Sequence, residues 1–342
     1  MAIRIGLVGY GLGGRVFHAP FIQASDKCEL VGIVTRSPQR SLQAAEDCPG
    51  VQIHPSLKSL VRAGVDAVVV TTPPSTRREL VIEAIASGVH VVADKPFAPS
   101  SSGGEYLAEA ACTAGVLLNV FQNRRFDSDI VTARSILQEG KLGSIQRLEL
   151  RCDQDDPSTL DAGPAGGLLR DLGSHVIDQA LHLLGPVRDV TAYLDWSHGP
   201  KGSTNTAFMV SMRHASGAHS HVSASKLNRL VSKELRLLGS EGSYVSNYSD
   251  VQYEAILAGR RPANDRPSWG FESERRWGTL RVRGEERRIP SWQGDYTTYY
   301  DEFAAAISTG APGPVPAGEA IDVLRVMDAA QVSANEQRTV SI

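Results

Sequence analysis

The sequence predicts an α/β protein with an N-terminal Rossmann domain, built on a doubly wound parallel sheet. An α+β C-terminal domain with a large, open, mainly antiparallel sheet follows it. Over the first 120 residues, short apolar strands alternate with helical patterns at the rhythm of βαβ units. The glycine motif GYGLGG directly follows the first of these strands. Beyond that point the strand candidates alternate polar and apolar residues, as in an antiparallel sheet with one exposed face.

Each element of the first domain is predicted from its pattern. The strands are continuously apolar, which indicates burial on both faces of a parallel sheet. The helical patterns between them end at breakers such as Gly88. The predicted strands are IRIGLVG, ELVGIVT, DAVVVTT, HVVADKPF and LLNVFQN, and the predicted helices are GLGGRVFHAPFIQAS, SPQRSLQAAED, RRELVIEAIASG and GEYLAEAACTAGV. The segment SSSGG at 100–104 is predicted to be a loop.

The second domain combines alternating strands with a few helices. Its predicted strands are SIQRLELRC, VRDVTAYLDW, TAFMVSMRH, AHSHVSASK, KELRLLG and TLRVRG, and its predicted helices are DLGSHVIDQALHLLG, YTTYYDEFAAAIS and GEAIDVLRVMDAAQVSA. We therefore predict two domains: residues 1–120 bind a dinucleotide, and residues 121–342 bind substrate and mediate oligomerisation.

Composition and charge restrict the class of partner. The 342 residues carry a formal net charge of −3, without the basic excess that nucleic-acid or membrane-surface binding requires. The four cysteines lie far apart with no metal-ligand spacing, so no metal site is predicted. No signal segment precedes the first strand, and no long apolar run is present, so a cytoplasmic protein acting on small molecules is expected.

The glycine motif predicts a dinucleotide site. Gly9, Gly11 and Gly14 have the spacing GxGxxG between a strand and a helix, and Leu12 lies within the same turn. The first glycine allows the tight turn, the second lets a pyrophosphate approach the backbone, and the third lets helix and strand pack closely. Strand, turn and helix agree, which strengthens a motif that is weak by itself.

The end of the second strand indicates which dinucleotide is used. An NAD site usually offers an acidic residue there, whereas this chain has Thr35 and Arg36, with Arg40 one helical turn further on. A hydroxyl and guanidinium groups suit the 2′-phosphate of NADP. We predict NADP as the cofactor, with NAD possible.

Two further segments end at the carboxyl edge of the predicted sheet, where ligands of such sheets bind. Thr72, Pro73 and Pro74 form a rigid turn that is predicted to line the dinucleotide. Lys95 ends an apolar strand, and Pro96 restricts it to extended conformations. Lys95 is therefore predicted to be a positioned cation.

Three titratable residues share one stripe of the helix that interrupts the second domain. Asp171 and His175 are four residues apart, and Asp178 follows three residues later. A carboxylate beside an imidazole orients it and tunes its pKa towards neutrality, as a general base needs. His182 has no metal-binding spacing, and His18 beside the glycine turn is the other histidine of interest.

Together these segments resemble the glucose-fructose oxidoreductase / inositol dehydrogenase / MocA (Gfo/Idh/MocA) family, and especially its scyllo-inositol dehydrogenase-like subgroup. The resemblance rests on GYGLGG, DKP, VFQNRRFDSD, GGLLRDLGSHVIDQALHLLG and GDYTTYYDEFAAAI, which occur in family order over essentially the whole chain. It implies a nicotinamide-dependent oxidoreductase acting on CH–OH groups of a polyol, an inositol or a sugar. It also implies a homodimer or homotetramer.

The resemblance implies roles for individual residues. Lys95, Asp171 and His175 match the catalytic group of the family, which also contacts substrate. Asn123 and Arg124 match a segment that reaches nicotinamide and substrate. Weaker substrate candidates are Asp153, Asp155 and Asp178. The chain departs from the family at Arg77, where many relatives have a histidine.

Two alternative functions remain open at the level of sequence. One is an imine or enone reductase of biliverdin-reductase type, which needs no base for a carbinol. The other is a noncatalytic sensor that binds NADP without turning it over. The joint presence of Lys95, Asp171 and His175 argues against the sensor.

Overall fold

The structure, a computed structural model, describes residues 2–161, 163, 166–199 and 202–342. Strands and helices alternate over the first 126 residues, and a π-helical turn at Gly13–His18 precedes the first α-helix. In chain order the elements are β1 (Ile3–Val8), α1 (Ala19–Gln23), β2 (Cys28–Val34), α2 (Pro38–Asp47), β3 (Gln52–His54), α3 (Leu57–Arg62), β4 (Ala67–Val70), α4 (Pro74–Ala86), β5 (His90–Asp94), α5 (Ser101–Ala114) and β6 (Leu118–Phe121).

Strands dominate the rest of the chain. A second π-helical turn, Leu169–Gly173, leads directly into an α-helix. In chain order the elements are α6 (Ser128–Gln138), β7 (Ile145–Asp153), α7 (Ser174–Leu184), β8 (Val187–Gly199), β9 (Gly202–His214), β10 (His219–Ser225), β11 (Ser232–Gly239), β12 (Gly242–Asn247), α8 (Val251–Leu257), β13 (Gly278–Val282), β14 (Glu285–Ile289), α9 (Thr297–Thr309), α10 (Ala317–Glu336) and β15 (Val340–Ser341).

The chain folds into two compact units, and each is built from three segments. The first unit contains Met1–Phe126, Val251–Trp269 and Asp295–Ile321. The second unit contains the segments Asp127–Asp250, Gly270–Gly294 and Asp322–Ile342. Each unit holds one β-sheet.

The sheet of the first unit is parallel throughout, in the order β3-β2-β1-β4-β5-β6. From β1 the chain adds β2 and β3 on one side of the sheet and then β4, β5 and β6 on the other. At such a switch point the carboxyl ends of β1, β2 and β4 border one crevice. The strands are buried on both faces: every residue of β4 is fully inaccessible to solvent. The predicted doubly wound Rossmann fold is confirmed.

Aromatic residues from late in the chain complete the core of the first unit. Tyr296, Tyr299 and Tyr300, at and just before the start of α9, are fully buried. Their rings lie 4.9 to 6.4 Å from the ring of Phe121 at the end of β6. Aromatic pairs at such distances stabilise a core beyond the effect of their buried area.

The sheet of the second unit is open and mainly antiparallel, as predicted. Its order is β14-β13-β12-β11-β7-β10-β9-β8-β15, and β7 and β10 form its parallel pair. One face is buried, with Val210, Val222, Leu150 and Leu235 side by side across four strands. The other face is exposed, as at the cross-strand neighbours Tyr193 and Met209.

The sequence prediction was wrong at residues 100–104. Ser101–Ala114 form α5 there, and the hydroxyl of Ser100 caps the helix by accepting a 3.2 Å hydrogen bond from the amide of Gly103. This cap satisfies an amide that the helix itself leaves without a partner. The serine-rich segment therefore begins a helix instead of forming a loop. In the part of the chain that the structure describes, every helix is too short or too polar to cross a lipid bilayer.

Candidate active site

The glycine turn after β1 requires glycine where the backbone is crowded. Gly9 has φ +108°, and a Cβ atom there would lie 3.2 Å from the carbonyl oxygen of Thr71. A Cβ atom at Gly14 would lie 2.3 Å from the carbonyl oxygen of Gly9. A Cβ atom at Gly11 would meet the guanidinium of Arg40 at an ordinary contact distance of 3.9 Å. The Arg40 side chain therefore lies beside the glycine turn at Gly11.

The turn between β2 and α2 carries the predicted cofactor side chains, and the guanidinium of Arg40 lies beside Gly11. The amide of Ser37 donates a 3.3 Å hydrogen bond to the hydroxyl of Thr35. The hydroxyl of Ser37 caps α2 by accepting from the amide of Arg40 at 3.4 Å. Arg36 and Arg40 are exposed, so both guanidinium groups are accessible to an anion.

The turn after β4 carries a buried hydroxyl group. The backbone of Thr71 is tied to β1 through a 3.0 Å hydrogen bond to the carbonyl of Val8. Pro73 and Pro74 follow Thr72, and α4 begins at Pro74. The Thr72 Oγ1 atom is buried and has no hydrogen-bond partner among the described residues. A buried polar atom of this kind is usually satisfied by a ligand or by water.

The strand β5 ends at Asp94, whose carboxylate holds the backbone of Lys95. Its Oδ1 accepts a 2.9 Å hydrogen bond from the Lys95 amide, and its Oδ2 accepts a 2.9 Å hydrogen bond from Thr71 Oγ1. A Cβ atom at Gly13 would lie 2.5 Å from Thr71 Oγ1 and 3.2 Å from the same Oδ2, so a side chain there would crowd this hydrogen-bonded pair. Gly13, for which the sequence indicated no role, therefore allows the glycine turn to lie beside Asp94.

The charge of Asp94 is maintained by its surroundings. Burial raises the pKa of its carboxyl, but the His18 imidazole and then the charges of Arg77 and Lys95 outweigh burial. Its pKa therefore lies well below the ordinary value of 3.8. Asp94 is an anion at neutral pH.

His18 lies behind Asp94. Its Nδ1 is 2.6 Å from the hydroxyl of Tyr300, and its Nε2 is 3.6 Å from Asp94 Oδ2. Burial raises the pKa of Tyr300 well above 10, so its hydroxyl keeps the proton and can donate it to Nδ1 in a hydrogen bond. The other ring nitrogen, Nε2, faces the Asp94 carboxylate.

Asn123 and Arg124 follow β6 in a short 3₁₀ turn, Asn123–Phe126. Asn123 is buried, and Arg124 is half-buried. The neighbouring Arg125 forms a 2.5 Å ion pair with Glu319 and fixes this turn within the first unit. Both predicted residues therefore extend from a turn at the carboxyl edge of the parallel sheet.

Asp171 lies in the π-helical turn of the second unit, and His175 lies in the first turn of α7. A π turn contains one more residue than an α turn, so the four-residue spacing does not by itself put the two on one α-helical face. Asp171 Oδ2 is 2.9 Å from Nζ of Lys226. His175 and Asp178 are buried.

The weaker substrate candidates differ in exposure. Asp153 ends β7, is buried, and accepts a hydrogen bond from Arg151. Asp155, two residues later, is exposed. Because Lys95 and Asn123 lie in the first unit whereas Asp171 and His175 lie in the second, the joint catalytic group of Lys95, Asp171 and His175 stays a prediction.

Comparison with known proteins identifies the family. A family model described as "Oxidoreductase family, NAD-binding Rossmann fold" matches residues 3–122, and one described as "GFO/IDH/MocA C-terminal domain" matches residues 130–245. The chain belongs to the Gfo/Idh/MocA family. As a member of it, the protein is an oxidoreductase with an NAD-binding Rossmann domain.

Relatives of this Gfo/Idh/MocA protein match over its whole length. The scyllo-inositol 2-dehydrogenase (NADP(+)) IolW of Bacillus subtilis is 33% identical, over 99% of this chain and 96% of its own. The inositol 2-dehydrogenase of Rhizobium meliloti is 25% identical over 100% of both chains. The solved structure of the oxidoreductase yvaA from Bacillus subtilis is similar with a TM-score of 0.92 and 33% identity, covering 100% of this chain and 99% of its own.

Two residues of this family member that the sequence did not single out as functional contact predicted site residues or their neighbours, one in each unit. Arg77 is buried and donates hydrogen bonds to the carbonyls of Thr72 and Pro96, at 2.8 and 2.7 Å. Lys226 is buried and pairs with Asp171. In the sequence, Lys226 is marked only by its position at the end of a predicted strand. Arg77 is marked by its departure from the family pattern.

Proposed function

We propose that this protein is an NAD(P)-dependent dehydrogenase that interconverts a secondary hydroxyl and a ketone on a cyclic polyol, an inositol or a sugar. The observation that carries the proposal is the position of Lys95 at the carboxyl edge of the cofactor sheet, directly after a carboxylate that lies beside the glycine turn. Membership of an oxidoreductase family supports the reaction class. The relative named scyllo-inositol 2-dehydrogenase supports a polyol substrate.

We propose NADP as the preferred cofactor, with NAD possible. The exposed guanidinium of Arg40 lies beside Gly11 of the glycine turn, which suits the 2′-phosphate of NADP. The Thr72 hydroxyl needs a partner, which a bound dinucleotide would supply. Thr35 and Arg36 would complete the phosphate site, while Gly9, Leu12 and Gly14 would form the turn around the pyrophosphate. The relative IolW, which carries NADP(+) in its name, agrees with this preference.

The proposed chemistry divides the reaction between residues and cofactor. The nicotinamide cofactor, held by the first unit, would supply the hydride chemistry at the carbinol carbon. In oxidation, His175 would take the proton of the reacting hydroxyl, because an imidazole is poised near neutral pH. Asp171 would orient this imidazole. The Lys95 ammonium would donate a hydrogen bond to the reacting oxygen and stabilise its developing negative charge.

Further residues would hold the substrate rather than react with it. Asn123, buried in the turn after β6, can donate and accept hydrogen bonds with hydroxyl groups. Arg124, in the same turn, would donate to neighbouring hydroxyls. We propose that both face the substrate and that Asn123 also reaches the nicotinamide.

We also propose that the protein forms a homodimer or homotetramer through the open face of its second sheet. Tyr193 and Met209 are neighbours on this face, and each is about two-thirds exposed. Val245 adds a third exposed apolar side chain on β12. Exposed apolar residues on one face of a sheet suit a surface that another protein covers.

The test is a scan of inositols, other cyclic polyols and sugars with NADP and with NAD, followed through the absorbance of the reduced nicotinamide. Lys95→Ala should lower turnover by about 10² or more and leave NADP affinity nearly unchanged. The exposed Lys58 provides the control, because Lys58→Ala should behave as wild type.

The same assay separates the alternatives. Binding of NADP without turnover of any compound in the panel would favour a sensor. An imine or enone reductase needs no carbinol base, so activity that survives His175→Ala would favour that function. Equal turnover of Lys95→Ala and the wild type would refute the proposed role of Lys95.

A further inference from the structure

Lys226 is a buried lysine at the edge of the second unit's sheet where β7 and β10 both end. These two strands are parallel, so their carboxyl ends meet at one edge, and the amide of Gln154 after β7 bonds to the carbonyl of Ser225 at 2.8 Å. Lys226 follows β10 directly, and its side chain is only 3% exposed. The position of Lys226 at the end of a strand does not by itself explain why its ammonium group is buried.

The ammonium of Lys226 has two partners among the described residues. Its Nζ lies 2.9 Å from Asp171 Oδ2 and 2.8 Å from the hydroxyl of Thr159. Thr159 belongs to a short 3₁₀ turn, Pro157–Thr159, in the loop after β7. Lys226 therefore ties this loop and the π-helical turn to the same strand end.

The ion pair is asymmetric in its exposure. Lys226 is buried, whereas the side chain of Asp171 is 47% exposed. The Lys226 ammonium holds one oxygen of the Asp171 carboxylate, while the Asp171 side chain remains partly accessible to solvent. A second contact fixes the turn itself, because Asn205 Oδ1 accepts a 2.7 Å hydrogen bond from the amide of Leu169.

Stability alone is a weak reason for such an arrangement. Burying an ammonium group is unfavourable unless it is paired, and a well-packed apolar residue is often at least as stable in its place. A fixed ammonium does something that an apolar residue cannot do, which is to keep a neighbouring carboxylate ionised and in one orientation.

We propose that Lys226 is a positioning residue of the active site, which acts on the reaction by holding the Asp171 carboxylate. This inference rests on the proposed role of Asp171 in orienting His175. Lys226 need not touch the substrate. Loss of its ammonium would remove the hydrogen bond that holds Asp171 Oδ2, so the carboxylate would orient the general base less precisely.

The test compares Lys226→Met with wild type, using a substrate identified in the polyol scan. Met keeps most of the length of the side chain and removes its charge. We expect kcat to fall about tenfold or more, since a misplaced catalytic group can cost this much, while the affinity for NADPH, measured by the fluorescence of its reduced nicotinamide, is unchanged. Lys226→Arg, which keeps the charge, should recover part of the loss.

Lys233 provides the matched control. It is also a largely buried lysine of the second sheet, paired with Asp250 at 3.0 Å. Lys233→Met should leave kcat within about threefold of wild type.

A double-mutant cycle separates positioning from a general structural effect. If Lys226 acts through Asp171, Lys226→Met should slow the Asp171→Asn enzyme by less than about twofold. Thermal unfolding gives a readout without substrate: Asp171→Asn should lower Tm by leaving a buried ammonium, and Lys226→Met added to it should recover part of the loss.

Two results would overturn the inference: a kcat of Lys226→Met within twofold of wild type, or losses that multiply in the double mutant. Both are distinguishable from failure of the proposed function. That failure would appear as a wild-type enzyme inactive on every polyol, or as a Lys95→Ala enzyme with full activity.

Discussion

The guanidinium of Arg77 donates a 2.7 Å hydrogen bond to the carbonyl oxygen of Pro96, the residue that follows Lys95. Its other terminal nitrogen donates to the carbonyl of Thr72 at 2.8 Å. One buried side chain thus joins the turn after β4 to the turn after β5. Burial lowers the pKa of this guanidinium, and the charge of Asp94 acts in the opposite direction.

Replacing Arg77 should affect both stability and turnover. Arg77→Met leaves two backbone carbonyls without their donor, so we expect a loss of about 2 kcal/mol or more in unfolding free energy. We also expect a lower kcat, because the backbone beside Lys95 is no longer held. Urea denaturation and steady-state kinetics measure these effects. Arg77→His, which introduces the residue common among relatives, should lie between wild type and Arg77→Met.

Arg78 is the control for this prediction. It is the next residue along α4, is exposed, and lies 5.1 Å above the ring of Tyr106. Arg78→Met should change unfolding free energy by less than about 1 kcal/mol. Equal effects of the two substitutions would contradict a specific role for Arg77.

The cofactor preference should depend on Arg40. Its guanidinium lies beside Gly11 in the glycine turn, where it could pair with the 2′-phosphate that NAD lacks. Arg40→Met should therefore raise the KM for NADP about tenfold while changing the KM for NAD little. Steady-state kinetics with both cofactors measure the ratio. The exposed Arg62 at the end of α3 provides a control whose substitution by Met should leave the ratio unchanged.

Asp94 should make stability depend on pH in the acidic range. Its folded-state pKa lies below the ordinary value of 3.8, so its ionised form favours the folded state. This contribution is complete above pH 3.8 and decreases as the pH falls towards the folded-state pKa. Asp94→Asn should therefore be less stable than wild type at pH 7, and the difference should shrink below about pH 4.

Urea denaturation at several pH values tests this prediction. The exposed Asp26 is the control, because Asp26→Asn should match wild type across the range. A difference between Asp94→Asn and wild type that stays constant down to pH 3 would show that the charge of Asp94 does not stabilise the fold.

Asp129 should have the opposite effect. Burial, and then the charge of Asp127, raise the pKa of its carboxyl well above 3.8, although Lys233 acts in the opposite direction. The folded state therefore favours the protonated form, and stability is lost as the pH rises above 3.8. Asp129→Asn should be more stable than wild type by about 1 kcal/mol or more at pH 8, and close to it at pH 4.

Thermal unfolding at the two pH values measures this difference. The exposed Asp195 of β8 is the control, and Asp195→Asn should not gain stability at pH 8. A loss of stability in Asp129→Asn at pH 8 would mean that its carboxylate is needed in ionised form.

The fold class could be predicted from sequence because its signals are local. The continuously apolar strands form the buried parallel sheet, and the strands that alternate polar and apolar residues form the open, mainly antiparallel sheet. β3 and α3 were missed because three and six residues are too short to show a period. The edge strand Glu285–Ile289 was missed because its sequence, EERRI, has no apolar alternation.

The site was predicted less completely, because its supporting contacts join distant parts of the chain. The position of Lys95 at a strand end is visible from VVADKPF. The pairing of Lys226 with Asp171, 55 residues away, is not, because no periodicity relates them. The π-helical turn at Asp171 was also invisible, since side-chain spacing was interpreted with the α-helical period.

The fold of the first unit is complete only when segments that are distant in sequence pack together, which has a consequence for folding during translation. His18 needs Tyr300, Ser25 needs Asp301, and Asn119 needs Pro312 and Val315. While the ribosome is still translating the first 126 residues, these polar and aromatic groups have no partners. We therefore expect the nascent N-terminal segment to stay incompletely folded until about 320 residues have been made. A truncated gene that ends after β6 should yield an aggregating product rather than an isolated cofactor-binding module.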